Sequence, residues 1–154
     1  MIFAMFGTNP YPFTRLAKGL DDFAGKTGCH VEVQCGHTKY GFHHCQATPF
    51  LPHNDILKKI GEAECLIVQG GAGSISDGLR SGRPLVAVPR SPDFLESPDR
   101  QVELVRKLEV MGCLTAVYDI ADLELKINEA KYKKAVRPPA NRVPAIIREY
   151  LEEL

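Results

Sequence analysis

Apolar positions along this chain follow two rhythms. Short, nearly unbroken apolar runs recur: IFAMF at 2–6, ECLIVQ at 64–69, PLVAVP at 84–89 and LTAVY at 114–118. Runs this short, bounded by turn residues, predict strands buried on both faces. CHVEVQC at 29–35 alternates and is rich in valine, which also predicts a strand. A short strand near 45–48 is an option within the ambiguous stretch 36–50. Between the strands, apolar residues recur at three- and four-residue steps. Phe13, Leu16, Ala17, Leu20, Phe23 and Ala24 form one helical stripe, with Pro12 expected in its first turn. Asn54 is the expected cap of a second helix that faces its core with Ile56, Leu57 and Ile60. A third helix is predicted from Ser74 to Arg80, ending at Gly82. A fourth carries Leu104, Val105, Leu108 and Met111 and stops at Gly112. A fifth runs from about Ile120 to Lys131.

The rhythm then breaks at KYKKAVRPPANR, a basic stretch with paired prolines that reads as a connector. Beyond it, Asn141 is the expected cap of a last helix with Val143, Ile146, Ile147, Tyr150, Leu151 and Leu154 on one face. The expected organisation is one domain over 1–132, then a connector and C-terminal helix over 133–154. Strand–helix alternation with apolar strands implies an α/β fold: a Rossmann-like doubly wound parallel sheet with helices on both faces. Ligands of such sheets sit beyond the carboxyl ends of the strands. That rule selects the loops 7–12, 36–44, 50–53, 69–74 and 89–100.

Charge removes some functions. Lys plus Arg equals Asp plus Glu at 19 each, so no net field draws the chain to nucleic acid or an anionic membrane. No apolar run approaches the ~20 residues of a membrane helix. The opening MIFAMFGTNPYPF lacks a basic region and a long enough apolar stretch for a signal peptide, so a cytoplasmic chain is expected. Five cysteines with no C-x-x-C spacing fit reduced thiols. Cys35, His37, His43, His44 and Cys45 are the right residue types for zinc. Their spacing matches no zinc pattern, because three adjacent residues do not easily turn to one ion. A polar loop with no metal is expected.

The loops carry the candidate chemistry. In VQGGAGSISDGL, Gly71 and Gly73 let a ligand approach the backbone. The helix that follows aims free N–H groups and its positive end at that space, where phosphate oxygens are the natural occupant. A tight turn that only packs is the other reading. The dinucleotide fingerprint is absent from the first strand, and the Lys-Ser/Thr pair of a P-loop is missing. A nicotinamide-dependent oxidoreductase is disfavoured for that reason. Asp77, one turn into the helix, can accept from a ribose diol or simply favour the helix N-terminus. Gly7 with Thr8, and Gly36 with Thr38, offer further small, hydroxylic turns. Arg100 and Gln101 open the fourth helix, where a glutamine suits sugar hydroxyls and a bland capping region is the alternative.

GAGSISDGLRSGRPLVAVPR followed by DRQVELVRKLEVMG resembles the C-terminal, donor-binding domain of glycosyltransferase family 28. FGTNPYPFTRL and VEVQCGHTKY narrow the resemblance to short stand-alone members. Those are similar to the catalytic subunit of the dolichol-linked N-acetylglucosaminyltransferase and to bacterial polysaccharide glycosyltransferase subunits. The likeness covers roughly residues 2–120. It implies one half of a GT-B glycosyltransferase that binds a UDP-sugar without a metal or other cofactor. The other half would be a membrane-associated partner subunit holding a lipid-linked saccharide acceptor, and the chain would be peripheral to the membrane through it. By this resemblance Gly71, Ala72, Gly73 and Ser74, with Thr8 and Thr38, hold the donor diphosphate. Asp77 meets the ribose, Gln101 the sugar hydroxyls, and the backbone near Phe50 and Leu51 the uracil. Arg100 would meet the diphosphate or face solvent.

Two positions depart from the family pattern. Gln69-Gly70 stands where His-Ala is usual, and Arg100-Gln101 where many members read His-Gln. Gln69 hydrogen-bonds but carries no charge. This departure supports an alternative, a non-catalytic nucleotide-sugar-binding or scaffold subunit. The catalytic residue is unassigned: His37 and His53 read as surface histidines, and the resemblance puts the general base in the partner. The last helix either packs on its own domain or reaches across to the other half. Self-association of the isolated chain through that helix stays open.

Overall fold

The structure is a computed structural model that describes residues 1–133 and 142–153. Six strands form one sheet: β1 (Ile2–Met5), β2 (Val31–Gln34), β3 (Gln46–Thr48), β4 (Cys65–Gln69), β5 (Leu85–Val88) and β6 (Thr115–Ala116). Their spatial order is β3-β2-β1-β4-β5-β6, and every pairing is parallel. The helices are α1 (Thr14–Thr27), α2 (His53–Glu62), α3 (Ala72–Ser81), α4 (Val102–Val110), α5 (Leu123–Tyr132) and α6 (Arg142–Glu152).

Side chains alternate across the sheet and feed two cores. Ile2, Ala4 and Phe6 join Leu16 and Leu20 of α1 and Ile127 of α5 on one face. Phe3 and Met5 join Ile60 of α2, Ile75 of α3 and Leu104 and Leu108 of α4 on the other. β1 is therefore buried on both sides, as its unbroken apolar run requires. The winding reverses between β1 and β4, which are paired from Ile2↔Cys65 to Met5↔Val68, with β4 running one residue further to Gln69. That reversal opens a crevice at the carboxyl ends, the place where doubly wound sheets bind ligands.

The β2–β3 crossover contains no helix. A buried carboxylate on α1 organises it instead: Asp21 accepts the backbone N–H groups of His43, His44 and Cys45 at 2.8–3.1 Å. Burial by itself raises the Asp21 pKa, but these donors outweigh it and hold the carboxyl below its usual value.

Several expected boundaries move. Helix α1 begins at Thr14 with Phe13 as its cap, so Pro12 lies outside it. The Phe13 N–H is taken by the Thr38 hydroxyl at 2.9 Å, which fixes the entry of the chain. Helix α2 begins at His53 after Pro52, so Asn54 is inside it and caps nothing. Ile60 alone of its expected face is fully buried, Ile56 is half-buried and Leu57 is exposed. Helix α3 begins at Ala72, two residues before the predicted start, because the first turn of a helix needs no backward partners and tolerates Gly73. A 3-10 turn at Ile120–Asp122, capped by the Asp119 side chain, precedes α5. Asn141 and the paired prolines lie outside the described residues. Helix α6 packs on its own domain: Ile146 is buried in the second core, and the Tyr150 hydroxyl donates to the Arg100 carbonyl at 3.1 Å. Among the described residues no helix is long and apolar enough to cross a membrane.

Candidate functional site

The β4–α3 turn stands at the reversal of the sheet. Gly71 caps α3 in an extended conformation, and the first helical bond runs from the Ile75 N–H to the Gly71 carbonyl at 3.1 Å. The N–H groups of Ala72, Gly73 and Ser74 precede that bond, and no side chain among the described residues caps the helix. They are therefore donors without an intrahelical partner at the positive end of a ten-residue helix. Gly73 is exposed, and a Cβ there would meet nothing within 4 Å. Asp77 is half-buried and one helical turn beyond Gly73, on the same face.

The neighbouring turns close around this one. Gly7 is left-handed, with φ of 75°, and a Cβ on it would lie 2.0 Å from Nε2 of Gln69. Gly36, also left-handed, approaches so closely that its Cβ would lie 2.6 Å from the Gly7 carbonyl oxygen. Buried Gln34 donates to the carbonyls of Gly7 and Pro49, tying these turns to the loop before α2.

A buried arginine holds the centre. Arg90, the second residue after β5, is 1% exposed. Its Nε donates to Gln69 Oε1 at 2.6 Å. The rest of the guanidinium donates to the carbonyls of Phe6 at 2.8 Å, Tyr11 at 2.9 Å and Glu96 at 2.9 Å. It also lies 4.5 Å from the centroid of the Phe13 ring. Burial pushes its pKa down to about 10, partly offset by the Glu96 carboxylate, so it stays charged at neutral pH. The Glu96 carboxylate itself pairs with Arg15 at 2.9 Å. The Arg90 backbone N–H donates to Gln101 Oε1 at 3.0 Å.

Of the residues singled out in the sequence, several converge. Gln101 packs on the turn: a Cβ on Gly70 would lie 2.7 Å from its Cβ. Thr8 is exposed beside Gly7. Thr38 is buried, and its hydroxyl oxygen already accepts from Phe13. Leu51 packs against the same core as α3, and exposed Phe50 meets His37 edge-on at 5.1 Å. The structure does not bring the Arg100 side chain to the turn; it is exposed and lies 3.7 Å from Asp93. His53 is exposed at the start of α2. Among the described residues no three His, Cys, Asp or Glu side chains gather as a metal ligand set. Cys45 is half-buried, and burial with the Asp21 carboxylate pushes its thiol up to about 12.

Arg90 is the residue that sequence reasoning missed. Its one signal is a charge at the carboxyl end of a central strand, directly after the apolar run LVAVP. A lone arginine there reads as solvated until the loops fold over it.

The sheet order and the glycine turn at its reversal define a Rossmann-like domain of the GT-B glycosyltransferase kind. The chain belongs to glycosyltransferase family 28: the model of the glycosyltransferase family 28 C-terminal domain matches residues 2–146. Among solved structures it is similar to the glycotransferase of kitacinnamycin, at 22% identity and a TM-score of 0.66, over 98% of this chain and 39% of that one. It is similar to the calicheamicin glycosyltransferase at 19% identity and a TM-score of 0.62, over 98% of this chain and 38% of that one. MurG of Acinetobacter baumannii is 16% identical with a TM-score of 0.58, over 99% of this chain and 49% of that one. At these identities the likeness is one of fold, and the chain spans half or less of each protein. No curated protein matches it.

Proposed function

We propose that this chain is the donor-binding, catalytic subunit of a two-component inverting glycosyltransferase. It binds a UDP-sugar and transfers the sugar to a lipid-linked saccharide held by a membrane-associated partner subunit. The observation that carries the reading is the α3 N-terminus. In a family 28 domain, at the reversal of the sheet, three consecutive N–H groups lie without helix partners beside a glycine with open space over it.

The chemistry follows from those donors. Cleavage of the sugar–phosphate bond builds negative charge on the leaving UDP. The N–H groups of Ala72, Gly73 and Ser74 are already oriented, so they stabilise that charge without reorganising and without a metal. Asp77 takes the ribose diol, Gln101 the sugar side, and Thr8 and Thr38 border the diphosphate. Phe50 and Leu51 bound the uracil, and Arg100 swings in from its exposed position or stays in solvent. The general base that removes the acceptor proton comes from the partner. Tyr11, Phe50, Phe94 and Leu95 are large exposed apolar residues on the loops around this edge, a rim suited to a second protein.

Calorimetric titration with UDP tests the reading; no binding at millimolar UDP defeats it. A second reading, a subunit that binds nucleotide-sugar without chemistry, is favoured by the engagement of Gln69 with Arg90 inside the fold. Reconstitution with the partner, a UDP-sugar and the lipid acceptor separates the two. Transfer that disappears on Asp77→Ala or Gln101→Ala, with folding intact, excludes the second.

A further inference from the structure

We propose that Arg90 is a positioning residue that presets two carboxamides, Gln69 and Gln101, as N–H donors toward the sugar diphosphate. The inference rests on the donor-binding role above and adds how the side chains of that site are oriented.

An arginine and a backbone N–H only donate. The glutamine atom 2.6 Å from Arg90 Nε is therefore oxygen, and so is the one 3.0 Å from the Arg90 backbone N–H. The guanidinium thus decides which way the Gln69 amide faces, and the backbone N–H of the same residue decides it for Gln101. Each Nε2 is left on the opposite side, and both border the Gly71 turn, the Gln69 nitrogen between Gly7 and Gly71. They lie 3.0 Å (Gln69) and 3.7 Å (Gln101) from where a Cβ of Gly71 would sit. No acceptor among the described residues takes either nitrogen. Gln69 as a residue is only 8% exposed, yet among the described residues no buried side-chain nitrogen or oxygen lacks a partner, so its unbonded Nε2 is the part of the side chain left open to a ligand. Gly71 is the cap of α3, so these donors stand beside the free N–H groups of its first turn. The two amide nitrogens and the N–H groups of the first turn of α3 all donate, which selects a group that accepts. A phosphate oxygen is such a group. Among the described residues no carboxylate hydrogen-bonds to Arg90: its bonds are to carbonyl oxygens and the Gln69 amide, while Glu96 is occupied by Arg15. Its charge therefore favours an anion at the mouth.

Gln69→Glu and Arg90→Lys test this by titration with UDP and with uridine, and by side-chain amide NMR. Gln69→Glu keeps the shape and gives Arg90 a carboxylate, so the melting temperature holds or rises. It replaces the donor with an acceptor, so UDP binds about tenfold more weakly or worse, while uridine changes less than about threefold. Arg90→Lys, studied below its melting temperature, frees the Gln69 amide, while Gln101 keeps the backbone N–H of residue 90. The dispersed Gln69 NH2 signals then collapse toward free-amide positions while those of Gln101 hold, and UDP weakens more than uridine. A folded Gln69→Glu protein that binds UDP as tightly as wild type overturns the proposal. So does an equal loss for UDP and uridine. A wild-type chain that binds no UDP defeats the functional reading, whereas undispersed Gln69 and Gln101 amide signals in wild type defeat this one.

Discussion

Gly7 and Gln69 compete for one space: a Cβ on Gly7 would lie 2.0 Å from the Gln69 Nε2. The β1–α1 turn and the end of β4 are therefore built against each other at the crevice. The amide cannot swing away freely, because Arg90 holds its oxygen at 2.6 Å.

Gly7→Ala is expected to cost about 2–4 kcal/mol, from the left-handed backbone and the overlap together. In a Gln69→Ala background the same change should cost only the backbone part, about 1–2 kcal/mol. Urea denaturation of the four proteins in this double-mutant cycle measures the coupling. Costs that simply add would show that the two residues do not share the space.

Gly73→Ala separates folding from binding. Gly73 is in the first turn of α3, its φ is not left-handed, and a Cβ there meets open space. Stability should therefore hold or rise by about 0.5–1 kcal/mol. If the chain binds a UDP-sugar as proposed, the methyl would stand in the path of the diphosphate, so UDP affinity should fall about tenfold, the loss expected for one charge-assisted bond. Thermal melts and calorimetry on the same sample check both halves.

Asp21 links stability to pH. Its folded pKa is depressed, since its backbone donors outweigh burial. The stability it contributes is present above the unfolded carboxylate value of about 4 and is lost as pH falls through the folded value. Asp21→Asn should cost about 1–3 kcal/mol at neutral pH and flatten the acid limb of the stability curve. Denaturation midpoints between pH 7 and about pH 2 measure it; an unchanged acid limb would remove Asp21 from the account.

Helix α6 gives a contrast within five residues of sequence spacing. Ile146 is 7% exposed in the core with α4, whereas Leu151 is 58% exposed. Ile146→Ala should cost about 2–4 kcal/mol in the isolated chain. Leu151→Ala should stay within about 0.5 kcal/mol. Equal, small effects in both would mean that α6 is not docked on this domain.

Much of this molecule is legible in its residue order. IFAMF, CLIV and LVAV can be buried only as strands covered on both faces, and the helical stripes between them force crossovers. The glycine turn after β4 is visible for the same reason: a small-residue cluster between a strand and a helix has few other uses. Local pattern could not say that α3 takes Gly73 into its first turn, since helix starts tolerate residues that helix interiors reject. Nor could it say that Leu57 faces water, because α2 has neighbours on only part of its apolar stripe.

The sequence by itself determined the alternation of strands and helices, the two-faced sheet, and the candidate turn, because each depends on residues within a few positions of one another. Tertiary structure alone decided that Arg90 is buried and that it orients Gln69 and Gln101. Its bonding partners come from Phe6, Tyr11, Gln69, Glu96 and Gln101, scattered along the chain, and no periodicity encodes their meeting. A buried charge is stable only where enough carbonyls converge on it, and that convergence exists only once the loops of β1, β4 and β5 have closed over one another.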